Sequence, residues 1–137
     1  VIETGLLPLL NANVQEVSRG TEMRMLVVLD TLASACIRAG EGFRSVETKV
    51  KQPLLHLVGN HPSPLVQLHA SYCMRSVAHC SPPQLFQLMS VLLNHITVQN
   101  AELLGATMRP TPGSSATSQL AALQPLLRGL FGHCAAL

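Results

Sequence analysis

The chain is poor in the residues that mark catalytic, nucleic-acid-binding and β-rich proteins. Of its 137 residues, 12% are charged and 3% are aromatic, and tryptophan is absent. Asp30 is the only aspartate, so an aspartate-oriented catalytic triad has a single candidate, and we expect that residue on a helix surface. The net charge is only +2, and the nine Lys and Arg are scattered rather than gathered into the basic stripe that binds nucleic acid.

Several motifs and long apolar runs are also missing. There is no G-x-S-x-G, P-loop or glycine-rich phosphate turn, and "GEGF" at 40–43 follows no strand, so we interpret it as a turn between helices. No run of 18 apolar residues predicts a membrane span. The four cysteines lack C-x-x-C spacing, and we expect free, mostly buried thiols in a reducing compartment. The chain starts at Val1, so we expect a segment of a larger protein.

The residues that are present predict an all-α fold. Apolar side chains make up 47% of the chain and recur at three- and four-residue steps, whereas no long stretch alternates at period two. We predict helices over 6–18, 21–40, 45–60, 63–78, 82–96 and 118–135, and a flexible loop rich in Pro, Gly and Ser at 109–118. Gly40 marks a helix end, Thr21, Ser45 and Ser63 are predicted N-caps, and Pro53 predicts a kink or break.

The segment "HPSPLVQLHASYCMRSVAHC", residues 61 to 80, raises the question of a metal site. His69 and Cys73 stand four residues apart on one helix face, which supplies two ligands where a closed zinc site needs four. The remaining candidates, His56, His61, His79 and Cys80, fall on turns or other faces. We therefore predict no metal, no cofactor and no catalytic residue, and we expect a raised pKa for Cys73 in an apolar stripe.

The same helix predicts part of the core. We expect one face to pack on the preceding helix, and Gln67, Ser71 and Arg75 to hold the other side. The predicted contact joins Leu68, Tyr72, Cys73 and Val77 to Val50, Leu54, Leu57 and Val58.

The turn and helix "HPSPLVQLHASYCMRSVA" resemble the second-helix signature of HEAT repeats. The matching positions are Pro62, Pro64, Val66, Ala70, Cys73, Met74 and Val77. His61 and Gln67 replace the Asp and Arg of that signature, so the Asp–Arg ladder of such repeats is missing. The resemblance implies an α-α superhelix (HEAT or armadillo-like solenoid) over 1–137, with approximate repeats 6–40, 45–80 and 82–137.

Residues 45 to 96 are similar to the HEAT repeat-containing protein five family of large trafficking scaffolds. The likeness includes the step Tyr72, Cys73, Met74 and Arg75 and the "PQL" at 83–85. It implies a non-catalytic scaffold in the cytoplasm, peripheral on endosome and trans-Golgi membranes. The implied partners are the clathrin adaptor complex, its accessory proteins, dynein-linked carriers and neighbouring repeats. No partner-binding residue is implied.

Two alternatives remain open at this point. The chain could be a HEAT or armadillo segment of a transport receptor, a phosphatase scaffold or a kinase-associated arm, which would share the fold and differ in partner. A helical nucleic-acid-binding module is disfavoured, because Arg44, Lys49 and Lys51 lie beside Glu41 and Glu47. For a scaffold segment of either kind, apolar faces on the end helices predict that the isolated chain self-associates, as a homo-oligomer or as an aggregate.

Because only two possible zinc ligands share one helix face, we predict that the purified chain holds no structural zinc. Elemental analysis should find less than about one-tenth equivalent of zinc, and a chelator should leave the melting temperature unchanged. Stoichiometric zinc would contradict the assignment of His69 and Cys73 as an isolated pair.

Overall fold

The computed structural model describes residues 2–10, 19–108 and 116–137, and every element in that part of the chain is helical. A single π-helical turn, Ile2–Leu6, leads into the short helix α1, Leu7–Leu10. The longer helices are α2 (Arg19–Ala39), α3 (Glu47–Asn60), α4 (Pro64–Cys80), α5 (Pro82–Met108) and α6 (Ala116–Ala136), with a 3-10 helix at Gly40–Ser45. The predicted all-α class is confirmed.

Local sequence signals explain several helix ends. Gly40 follows α2 with a φ of 51°, a left-handed conformation that costs glycine little and other residues more. The Ser63 side chain accepts a hydrogen bond from the Val66 backbone N–H at 3.4 Å, and Pro64 occupies the first helical position. Both features agree with the sequence-based prediction for this helix.

Other boundary predictions were wrong. α2 begins at Arg19 rather than after Thr21. Of the kink or break predicted at Pro53, the break does not occur, because α3 continues through that residue. Ser45 does not cap α3, because its hydroxyl donates to the Gly42 carbonyl within the 3-10 helix. α5 runs to Met108 rather than to 96, because its mixed polar and apolar sequence contains no proline or cap that would stop it there.

Two predicted segments fall partly outside the described residues. Of the predicted helix 6–18, only the part up to residue 10 is described, and residues 11–18 lie outside. Of the predicted loop 109–118, residues 109–115 lie outside the description, whereas the last three belong to α6.

Hydrogen bonds show that α2, α4 and α6 run in the same direction, with α4 between the other two. Ser63 and His69 at the start and middle of α4 bond to Glu22 and Asp30 of α2 in the same order. On the other side, Gln67, Ser71 and Arg75 donate to backbone carbonyls of α6, again in the same order. α3 contacts α4 and α6, and α5 contacts α4 and α6.

A buried junction joins α3, α4 and α6. The Gln67 side chain is fully buried, and its Nε2 donates to the Val58 carbonyl of α3 at 2.8 Å and to the Arg128 carbonyl of α6 at 2.9 Å. Gly132 of α6 lies so close to α3 that an added Cβ would stand 1.6 Å from the Val58 carbonyl oxygen. The junction therefore depends on the Gln67 carboxamide of α4 and on Gly132 of α6, which both meet the Val58 carbonyl.

The predicted face of α4 was partly wrong. Cys73 and Val77 are buried as expected, but Leu68 is 46% exposed and Tyr72 is 57% exposed. Gln67 and Ser71, predicted on the outer side with Arg75, are buried instead, while Arg75 is exposed. The physical reason is that α4 has neighbours on several sides, so its buried arc turns toward α6 and includes polar side chains that bond to α6 carbonyls.

Two leucine truncations should therefore differ in how strongly they destabilise the fold. Leu54→Ala on α3 removes a side chain with no exposed surface and should destabilise the fold by about 2–5 kcal/mol. Leu68→Ala on α4 removes a half-exposed side chain and should cost less than about 1 kcal/mol. Urea unfolding of the two variants measures both values, and equal losses would restore the face predicted from the sequence.

Candidate functional site

An open groove of about 810 Å³ lies between α3 and α5 and is the candidate binding site of the described part of the chain. No Cα atom of α3 approaches within 8 Å of a Cα atom of α5, so the two helices meet only through side chains. The starts of both helices meet at Lys51 and Gln84, and His133 of α6 closes the far end. The walls are therefore parallel helices that rest on α4 and α6.

Carboxamides and imidazoles dominate the lining of this groove. The α3 wall consists of Thr48, Lys51, Gln52, Leu55, His56 and Asn60. The α5 wall consists of Gln84, Gln87, Val91, His95, Val98 and Gln99. Lys51 is the only formally charged residue among them, and no carboxylate is present in this lining.

Lys51 bridges the two walls near the start of both helices. Its Nζ donates to Oε1 of Gln84 and to Oε1 of Gln87, both at 3.2 Å. Because an ammonium can only donate, both carboxamides must turn their oxygens toward it and keep their NH2 groups for other acceptors. Among the described residues, Lys51 forms no ion pair.

A hydrogen-bonded chain of three side chains closes the other end. His95 Nδ1 lies 3.0 Å from His133 Nε2, and His133 Nδ1 lies 2.9 Å from Gln99 Oε1. The Gln99 oxygen can only accept, so His133 carries its proton on Nδ1, and His95 donates to Nε2. The two rings are edge to face, with centroids 4.7 Å apart.

Close packing holds His133 in this position. Its ring lies against Gly59 of α3, where an added Cβ would stand 2.8 Å from Cε1. Gly129 likewise leaves room for Gln99, whose Nε2 would lie 2.0 Å from an added Cβ. Burial, and then the neighbouring His95, lower the pKa of His133 below its usual 6.5. The fold therefore favours a neutral His133.

The residues weighed for metal or catalytic chemistry are not brought together. His69 Nδ1 lies 2.9 Å from Asp30 Oδ1 at the surface between α2 and α4, whereas Cys73 is buried. His61 is buried at the α3–α4 turn, where its Nδ1 accepts from the Ser63 backbone N–H at 3.1 Å, and its burial lowers its pKa. Within the described ranges, no cluster of three metal-binding side chains occurs.

Two of the four cysteines, Cys36 and Cys73, are fully buried. Burial raises the pKa of the Cys73 thiol well above its ordinary value, in agreement with the sequence-based expectation. Burial also raises the pKa of Cys36 to about 12, and the Cys80 thiol lies 3.3 Å from the Cys36 carbonyl oxygen. Cys134 is exposed, and the four thiols are free.

A second surface feature is the apolar stripe on the far side of α5. Phe86 is 77% exposed, and Met89 and Leu93 follow it at helical spacing. At 100° per residue this stripe stands opposite the groove-lining residues of the same helix. α6 exposes a similar set, Leu120, Leu127 and Phe131.

The groove residues were not singled out from the sequence, although a signal was present. Gln84, Gln87, Val91, His95 and Gln99 recur at three- and four-residue steps and so share one face of α5. A polar stripe of this kind usually faces solvent. That it faces α3 is evident only from the tertiary structure.

Comparisons with known proteins identify no relative of this chain: no protein-family model, no curated protein and no solved structure matches it. None of the helices in the described part of the chain is both long enough and apolar enough to cross a membrane.

The lowered pKa of His133 predicts that stability falls in mild acid. The unfolded chain takes up a proton near pH 6.5 while folded His133 resists it, so unfolding becomes easier as pH falls through that value. His133→Gln should lose less stability between pH 7.5 and 5.5 than the wild type. His56→Gln, on the exposed α3 wall, is the control and should follow the wild type in thermal melts. Identical pH slopes for wild type and His133→Gln would contradict the assignment.

Proposed function

We propose that this chain is a non-catalytic, HEAT-like scaffold segment that binds other proteins. The observation that carries the proposal is the exposed apolar stripe of Phe86, Met89 and Leu93 on α5. Between positions 82 and 137 only Glu102, Arg109 and Arg128 are charged, so this end of the chain has few groups that would favour water over a protein partner. Interfaces draw their binding energy from such aromatic and aliphatic anchors.

The helix arrangement supports the scaffold proposal. The parallel run of α2, α4 and α6, with α3 and α5 resting on α4 and α6, is the order that stacked helix pairs would produce. In that arrangement, the outer stripe of α5 is the face on which a further helical unit would stack. The approximate repeats 6–40, 45–80 and 82–137 are proposed as the stacked units.

Membrane traffic is the proposed context, and it rests on the resemblance of residues 45–96 to the HEAT repeat-containing protein five family. The proposed partners are the clathrin adaptor complex with its accessory proteins and dynein-linked carriers. The proposed location is the cytoplasm, with peripheral attachment to endosome and trans-Golgi membranes. The groove between α3 and α5 offers a second, polar surface for a partner, beside the apolar stripe.

Direct binding to a purified clathrin adaptor complex tests this proposal. The immobilised chain should bind the complex saturably in biolayer interferometry. The double variant Phe86→Asp, Leu93→Asp should weaken binding by at least about tenfold, because it places charges in the proposed apolar interface. Met23→Asp is the matched control, since Met23 is 57% exposed on α2, and it should retain binding.

Three outcomes separate the alternatives. Loss of binding only in the α5 double variant supports the proposal. Equal binding of all variants would place the interface elsewhere and overturn the role of the stripe. No adaptor binding, together with saturable binding of a phosphatase catalytic subunit or a transport cargo, would favour a different HEAT or armadillo scaffold.

A further inference from the structure

Lys51, Gln84 and Gln87 form a cluster of hydrogen-bond donors at one end of the groove between α3 and α5. The Lys51 ammonium has three N–H groups, and Gln84 and Gln87 accept from it through their oxygens. Each of those two oxygens accepts one N–H of Lys51, and among the described residues neither carboxamide NH2 group donates to an acceptor. One cation and two amide donors meet between the two helices. Such a cluster is complementary to an anionic acceptor.

No carboxylate of the described residues forms an ion pair with Lys51. Glu47 lies one helical turn before Lys51, but it is buried, and its Oε2 accepts from the Ser81 hydroxyl at 2.9 Å. Glu102 lies on α5 beyond the groove lining. The described ion pairs join Arg44 to Glu41, Lys49 to Glu3 and His69 to Asp30, and none includes Lys51.

The shape of the groove suits an extended polypeptide. At about 1.5 Å per residue, the α3 wall from Thr48 to Asn60 is about 18 Å long and the α5 wall from Gln84 to Gln99 about 22 Å. An extended chain advances about 3.3 Å per residue, so about six residues fit. Gln52 and Asn60 place carboxamides along the α3 wall, and each can pair with a peptide N–H or C=O group.

We propose that the groove between α3 and α5 binds an extended acidic peptide segment of a partner protein, with one peptide carboxylate held by Lys51, Gln84 and Gln87. Leu55, Val91 and Val98 supply apolar contact along the rest of the groove. The inference deepens the proposed scaffold function and rests on it. It assigns a recognition chemistry to a surface distinct from the apolar stripe of α5.

Fluorescence anisotropy with a defined probe tests the proposal. The probe is a fluorescein-labelled eight-residue peptide of alternating glutamate and leucine, compared with the same peptide carrying glutamine for glutamate. The acidic peptide should bind more tightly, and added salt should weaken its binding. Lys51→Gln should weaken it by about three- to tenfold, because a partly exposed charge-assisted bond is lost. Lys49→Gln, on the same helix but outside the groove lining, should have no effect.

Two variants of opposite charge at one groove position separate an effect of charge from an effect of local disruption of the groove. Val91→Glu and Val91→Lys insert side chains of similar length into the α5 wall. The acidic peptide should bind the lysine variant more tightly than the glutamate variant. Equal losses in both would show that the groove does not select for charge. Equal binding of the glutamate and glutamine peptides by the wild type would overturn the proposal.

Two further arms identify what occupies the site. Inorganic phosphate that displaces the peptide at equal concentration would show a simple anion site and overturn the peptide assignment. Adaptor binding with no peptide binding would leave the scaffold function standing and refute the groove inference. Peptide binding with no adaptor binding would support the groove and refute the proposed partner.

Discussion

The Gln67 carboxamide is the interaction on which the relative positions of three helices depend. It is fully buried on α4, and one amide nitrogen reaches backbone carbonyls of both α3 and α6. A buried polar group that loses its partners costs about 1–3 kcal/mol, so this contact tolerates few alternative arrangements. A charged side chain at this position would need a buried countercharge to offset the cost of its desolvation.

Two glycines of α6 set how closely this helix approaches α3 and α5, and they therefore also position the groove. Gly132 lets α6 meet the Val58 carbonyl of α3, and Gly129 leaves space for Gln99 of α5. With α3 and α5 both held on α6, their backbones stay apart, and the two helices meet only through side chains such as Lys51 with Gln84 and Gln87. The groove is therefore a consequence of the packing of both helices on α6.

Sequence reasoning succeeded where a local rule operates alone. Ser63 followed by Pro64 specified the start of α4, and the glycine after α2 specified its end, because capping and backbone conformation are decided within a few residues. It failed for Leu68 and Tyr72. Their apolar side chains predicted burial, but α4 buries a different face. It also overlooked the groove, since a stripe of Gln and His on one helix has no meaning until a second helix stands opposite.

The sequence by itself determined the helical class and most of the helix positions, because hydrophobic period and caps act along the chain. The tertiary structure alone decided which face of α4 is buried, that Gln67 links three helices, and that Lys51 meets Gln84 and Gln87. Those features join residues up to 61 positions apart in the chain. Periodicity along the chain does not specify such pairings. They depend on how whole helices pack against one another, and side-chain shape sets how closely the helices approach.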